Sequence, residues 1–263
     1  MKIGKITPLF AVFGALLLAI IALPILNILF RQFVFDLGGF VSAFTDPAVL
    51  SAVGLSSFAA LLAVLVTFAF GVPLAYLLAR KDFRGKGLIE GTIDLPMAVP
   101  HVVAGIALLT VFGTSGLIGG HTSSFLRFES AIHGIVVAML FVSAPYLINS
   151  AREGFQSVDP RLEKVARSLG ATEWIAFRKV AFPLAFPQIF SGAIMSWARA
   201  ISEFAAVIMF VGFFPMIAPG MIWDKFYSVG IYEAMSVAVV LLVIALSAFV
   251  ILKYLRGRLF DKY

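Results

Sequence analysis

Six long apolar runs, separated by shorter polar joints, dominate the chain. They fall at roughly 8–30, 50–79, 95–112, 131–150, 186–212 and 234–254. About 20 apolar residues in helical form cross a hydrocarbon core ~30 Å thick, and backbone groups in lipid must be paired within the segment. The pattern therefore predicts an all-α integral membrane protein with six transmembrane helices. Pro96 and Pro100 open the third run and Pro145 interrupts the fourth. Neighbouring helices can re-satisfy the groups such residues free, so neither run is disqualified. The first run follows Lys2 and Lys5, exceeds the length of a signal-peptide core and lacks a small-residue cleavage site, so a retained span is expected.

One stretch breaks the apolar pattern. Residues 151–183, AREGFQSVDPRLEKVARSLGATEWIAFRKVAFP, form a polar island with its own helical logic. Asp159 suits an N-cap and Pro160 the first helical position, where a missing N–H costs nothing. Leu162, Val165, Ala166 and Leu169 then recur at i, i+3, i+4 and i+7 as one apolar stripe, and Gly170 follows as a natural C′ residue. Thr172 can cap a second short helix on which Trp174, Phe177 and Val180 share a side and which Pro183 is expected to close. Helices of about ten residues are marginal alone in water, so each needs a surface to pack on. Anionic lipid headgroups would serve a basic face. The small residues Ala166 and Gly170 instead leave a flat patch that another protein backbone can approach.

Charge then orients the chain. Of 20 Lys and Arg, sixteen lie in one alternating set of segments: Lys2 and Lys5; Arg80, Lys81, Arg84 and Lys86; Arg152, Arg161, Lys164, Arg167, Arg178 and Lys179; Lys253, Arg256, Arg258 and Lys262. The other set holds only Arg31, Arg127 and Lys225, and Arg199 lies inside a span. The positive-inside rule places both termini and the 151–183 loop in the cytoplasm, N-in and C-in. Composition agrees with a lipid setting: 61% hydrophobic and 13% charged residues, with a mean hydropathy of +1.04. A soluble domain carries about 25% charge. The net charge of +6 is thus a topogenic signal and not a nucleic-acid footprint.

Little in the chain points to catalysis. With no cysteine, disulfides, thiolate metal sites and a cysteine nucleophile are excluded. No His and carboxylate cluster has metal-ligand spacing, no G-x-S-x-G is present, and no P-loop occurs, so the chain cannot hydrolyse ATP itself. The 80–94 segment reads as a solvated turn. Inside the apolar runs, Arg199 and Glu203 are four residues apart and are expected to share a face of the fifth helix and pair, as a structural or gate-bracing couple. The competing assignment is an oxyanion-attracting charge on Arg199. Asp94 sits at the mouth of the third span, and His101 and His133 are expected to be helix-end residues hydrogen-bonded locally.

Ala166, Gly170 and, after nine residues, Val180-Ala181-Phe182-Pro183 resemble the E-A-A-x3-G-x9-I-x-L-P signature of ABC importer permeases. Lys164 stands at the usual glutamate position, with Glu163 one residue earlier; Val165 and Phe182 are milder departures. The segments DLPMAVPHVVAGIALLTVFG, AMLFVSAPYLINSAREGFQSVDPRLEKVARSLGA and GAIMSWARAISEFAAVIMFVGFFPMIAPGMIWDKF extend the resemblance over nearly the whole chain, to permeases of molybdate/tungstate importers of the archaeal type. The resemblance implies a type-1 ABC importer permease fold, a core at 48–252 within a single transmembrane domain, and a coupling helix in 151–183. On it, Asp159, Arg161, Leu162, Glu163, Ala166, Leu169 and Gly170 would meet the ATPase. It also implies a homodimer, an ABC ATPase subunit dimer that uses the ATP, an extracytoplasmic oxyanion-binding protein and no cofactor in the permease. Sulfate/thiosulfate permeases are close relatives and are the alternative substrate class. A stand-alone secondary anion carrier and an intramembrane enzyme are weaker alternatives.

Overall fold

The structure is a computed structural model describing residues 6–122 and 127–260, so Lys2, Lys5 and Lys262 lie outside the described residues. Every regular element among those described is helical. In chain order they are α1 (Ile6–Phe35), α2 (Leu37–Thr45), α3 (Pro47–Arg80), α4 (Lys86–Ala98), α5 (His101–Phe112), α6 (Gly119–Thr122) and α7 (Ile132–Ser157). They continue with α8 (Pro160–Ser168), α9 (Glu173–Ala176), a π-helical turn (Phe177–Ala181), α10 (Phe182–Ile201), α11 (Ala205–Val211), α12 (Ala218–Ser228) and α13 (Ile231–Phe260).

Five continuous stretches are long and apolar enough to cross a membrane: Leu9–Phe35, Pro47–Arg80, Ile132–Ser157, Glu173–Ile201 and Ile231–Arg258. The sixth is where expectation and structure differ. The 95–112 run is not one helix: α4 and α5 meet at a 117° bend. Pro100 has no N–H for a helical ladder, and it drives Val99 before it to an extended conformation (φ −80°, ψ 130°). The fifth span also stops early, at Ile201, and its apolar continuation restarts as α11 after a break at residues 202–204. The fourth runs further than expected, so Ala151, Gly154 and Phe155 of the polar island are buried parts of α7. The 80–94 segment is a turn only to Gly85, whose φ of +89° suits glycine, and is α4 from Lys86 onward.

Small residues allow the central helices to close on one another, the usual device where lipid removes any hydrophobic drive between helices. Ala59, Ala60, Ala63 and Ala75 of α3 are buried in core clusters shared with α7. A Cβ added at Gly192 of α10 would lie 2.5 Å from Ser150 Cβ and 3.2 Å from Leu147 Cα of α7. α1 stands at the rim, with none of its most apolar window buried. It is tied to α13 through the buried Gln32, whose Nε2 donates to Ser236 Oγ at 3.1 Å.

Candidate functional site

Two constellations stand apart from the apolar bundle. The first is the end formed by α8, α9 and the base of α3. Asp159 caps α8, its Oδ1 accepting from the Arg161 N–H at 2.8 Å. The far end closes as the glycine position demands: Gly170 has φ +93°. The Gly170 N–H donates to Arg167 O at 3.0 Å and the Ala171 N–H to Ala166 O at 3.1 Å, the paired bonds of a Schellman motif. Thr172 Oγ1 accepts from the Ile175 N–H at 3.2 Å and starts α9.

Pro183 does not close that second helix, contrary to the expectation from sequence. The chain passes through it into α10 by way of the π turn, in which the Phe182 N–H bonds back to Phe177 O. The wider turn sits just before a residue that cannot donate to an α-helical ladder. The polar loop is therefore continuous with the fifth span.

Leu162, Val165 and Leu169 are 46%, 56% and 83% exposed. The stripe points away from the bundle with Arg161, Lys164 and Arg167 exposed around it and Ala166 half-buried. Glu163 alone turns inward. Its Oε1 accepts from Arg80 Nε at 2.7 Å and its Oε2 from the Tyr76 hydroxyl at 2.5 Å, while Arg80 Nη2 also donates to Val158 O at 3.0 Å. Of the residues expected on α8 to meet a partner, Glu163 thus anchors the helix to α3 and the rest lie outside. Sequence reading missed Tyr76 and Arg80; the displaced acidic residue beside Lys164 was the available signal. Lys81–Glu173 (3.7 Å) and Arg152–Glu90 (3.0 Å) bring the two basic segments to this same end.

The second constellation lies where two helices break. Arg199 and Glu203 pair as expected, Nη2 to Oε2 at 2.7 Å, but they do not share one helix. Glu203 lies beyond the end of α10, buried, and its Oε1 accepts from the Ala206 N–H at 2.8 Å in the first turn of α11. His101, expected to bond locally, instead reaches across the bundle: its Nδ1 is 2.9 Å from Glu203 Oε2. Arg199 Nη2 lies 2.7 Å from His101 Nδ1 and 2.8 Å from its Nε2, so the guanidinium faces the imidazole ring and not the lone pair of one nitrogen. The proline break of the third span places His101 at the start of α5, next to the break after α10. His133 is exposed in the first turn of α7, and Asp94 accepts from Asn149 Nδ2 at 2.7 Å.

A bundle of five long apolar helices and one bent helix pair, with a short polar helix pair at one end, is the architecture of type-1 ABC importer permeases. A chain of a bacterial ABC transporter involved in the import of the acidic polysaccharide alginate superposes with a TM-score of 0.76 over 97% of this chain and 98% of that one, at 16% identity. Residues 71–261 match the family described as binding-protein-dependent transport system inner membrane component, and this chain belongs to that family. It is 44% identical to the molybdate/tungstate transport system permease protein of Thermococcus kodakarensis, over 95% of this chain and 96% of that protein. A probable sulfate transport system permease protein of Chlorella vulgaris is 34% identical over 80% of this chain and 83% of that one. The chain is a multi-pass membrane transport subunit and not an enzyme.

Proposed function

We propose that this chain is the permease of an ATP-driven importer of molybdate and tungstate. The carrying observation is the 44% identity, over 95% of the chain, to a permease named for those oxyanions; the sulfate-type relative is more distant. Two copies form the pathway along a shared axis, with both termini and α8 in the cytoplasm. An ABC ATPase dimer hydrolyses the ATP and an external binding protein delivers the oxyanion.

The exposed stripe of Leu162, Val165 and Leu169, flanked by Ala166 and Gly170, is the surface offered to the ATPase groove. Two large exposed apolar side chains on a nine-residue helix and a third at its C-cap are explained by a partner that covers them. Motion of the ATPase would reach the membrane by two routes. Glu163 fixes α8 to α3 through Arg80 and Tyr76, and α9 with the π turn joins α8 to α10. α10 has 20 residues, about 30 Å of rigid helix at 1.5 Å per residue, and carries Arg199 near its far end. The Arg199–Glu203 pair braces the gate there, in preference to holding the anion. A neutralised pair avoids much of the ~2.5–3.5 kcal/mol that a lone mid-span Arg costs.

The substrate is tested by uptake of radiolabelled molybdate into cells carrying this permease with its ATPase and binding protein. Unlabelled tungstate competing while sulfate does not is the expected result. Sulfate uptake that neither molybdate nor tungstate competes would move the chain to the sulfate class.

A further inference from the structure

We propose that the cleft between α3, α8 and α9 holds the headgroup and upper acyl chain of an anionic phospholipid of the cytoplasmic leaflet. The inference rests on the cytoplasmic placement of α8, and not on which anion is transported.

α8 is turned the opposite way from a helix that rests on an apolar bundle. At about 100° per residue, Leu162, Val165 and Leu169 cover one side, and Glu163, Lys164 and Arg167 cover the other. The apolar side is exposed, so the charged side is the one turned to the end of α3. There Arg80, Lys81, Lys164 and Arg167 line a polar cavity of about 150 Å³ together with Glu163 and Glu173. Glu163 is occupied by Arg80 and Tyr76, and Glu173 is met by Lys81 at 3.7 Å. Lys164 and Arg167 make no ion pair among the described residues. The cavity is therefore a seat for an anion, with two cations left to neutralise it.

An apolar cavity of about 620 Å³ adjoins the polar one and shares Tyr76 and Glu173 with it. Pro73, Leu77, Trp174 and Phe177 form its walls. Trp174 stacks on Phe177 with centroids 5.4 Å apart, yet Trp174 remains 65% exposed and Leu77 48%. Pro73 and Leu77 continue the exposed face of α3 that carries Phe70. From Pro73 to Arg80 the helix rises about 10 Å, the depth of the boundary between headgroups and acyl chains. Tyr and Trp are the aromatic residues that favour that boundary. A free oxyanion would use only the polar half of this cleft. An apolar groove capped at the end of a span by unpaired cations instead matches one amphiphile, a phosphate headgroup on an acyl chain. Lodged between Leu77 and Trp174, the chain would fill the joint where α9 and the π turn carry α8 into α10.

The test uses the assembled permease–ATPase complex in phosphatidylcholine discs doped with phosphatidylglycerol that bears a photoactivatable diazirine on one acyl chain. After illumination, mass spectrometry compares label at 73–77 and 174–177 with label at the exposed 12–21 stretch of α1, which samples bulk lipid. Phosphatidylglycerol should enrich the cleft at least about fivefold over a phosphatidylcholine probe with the same chain, the scale of one surface cation acting on anionic lipid. Lys164→Gln combined with Arg167→Gln, both at exposed positions, should bring that enrichment below about twofold. Arg178→Gln, on the π turn and lining neither cavity, should leave it unchanged. Equal labelling by the two probes would overturn the proposal. So would a loss as large for Arg178→Gln as for the double variant, since diffuse surface charge would then suffice. Inorganic phosphate that abolishes the enrichment at constant ionic strength would make the polar cavity a free-anion site. Enrichment in the permease alone that ATPase binding removes would give the cleft to the ATPase, and either result would also overturn the proposal. A complex that shows the enrichment but takes up no molybdate would sink the oxyanion reading and leave this one standing.

Discussion

Glu163→Ala is the sharpest perturbation of the polar end. Glu163 and Arg80 have side chains 12% and 9% exposed, and both carboxylate oxygens are used, one by Arg80 and one by Tyr76. Removing the carboxylate leaves the buried guanidinium with Val158 O as its protein acceptor and the tyrosine hydroxyl unpaired. Breaking a buried pair by deleting one partner costs about 3–5 kcal/mol. Arg80 ends its helix and can swing toward water, which argues for the lower end, about 3 kcal/mol. The outer face of α8 is exposed among the described residues, so the loss should appear as local opening and not as global unfolding. At 1.4 kcal/mol per decade, α8 amides should exchange hydrogen on the order of 100-fold faster in Glu163→Ala. Amides in the middle of α7 should be unchanged. Glu163→Gln keeps one neutral acceptor and should show about a tenfold effect. Exchange followed by mass spectrometry over 158–170, with the permease in lipid discs, reads this directly. If α8 protection in Glu163→Ala stays within threefold of the unmodified protein, the buried pair does not anchor the helix and the route from α8 to α3 fails.

At Gly170, with φ +93°, Gly170→Ala should cost about 1–2 kcal/mol of backbone strain yet keep ATPase binding, whereas Gly170→Glu should also abolish ATPase association in a copurification assay. Arg199→Gln and Glu203→Gln should each reduce assembly and uptake, and the double change should be milder than the sum of the two, as a double-mutant cycle would show. Reporters fused after Lys86 and Gly170 should read cytoplasmic, and those after Gly120 and Asp224 external; a cytoplasmic signal at Gly120 would break the six-span topology.

What was legible in the sequence was local. Asp159, Pro160 and Gly170 sit at the ends of α8 as their backbone chemistry requires, because a cap is decided within four or five residues. The six apolar runs were legible because hydropathy is additive along a window. The misplaced features all depend on something distant. Pro183 looked like a helix end, since the π turn that accommodates it leaves no composition signature. Pro100 was visible, but a 117° bend is set by how α4 and α5 pack on the bundle and not by the proline alone. Arg199 and Glu203 were paired correctly for a partly wrong reason: the i, i+4 spacing brought them together although the helix ends between them. His101 looked local because its partners lie about a hundred residues away, at a break the hydropathy window smoothed over.

The central claim is that this chain moves an oxyanion only when a separate ATPase drives it. Proteoliposomes containing the permease with its ATPase, and supplied with the binding protein, test it most directly when loaded with ATP or with a non-hydrolysable analogue. Accumulation of radiolabelled molybdate that needs ATP hydrolysis, the ATPase and the binding protein together is the predicted result. Accumulation by the permease alone, driven by an imposed ion gradient and indifferent to ATP, would make it a secondary carrier and contradict the account.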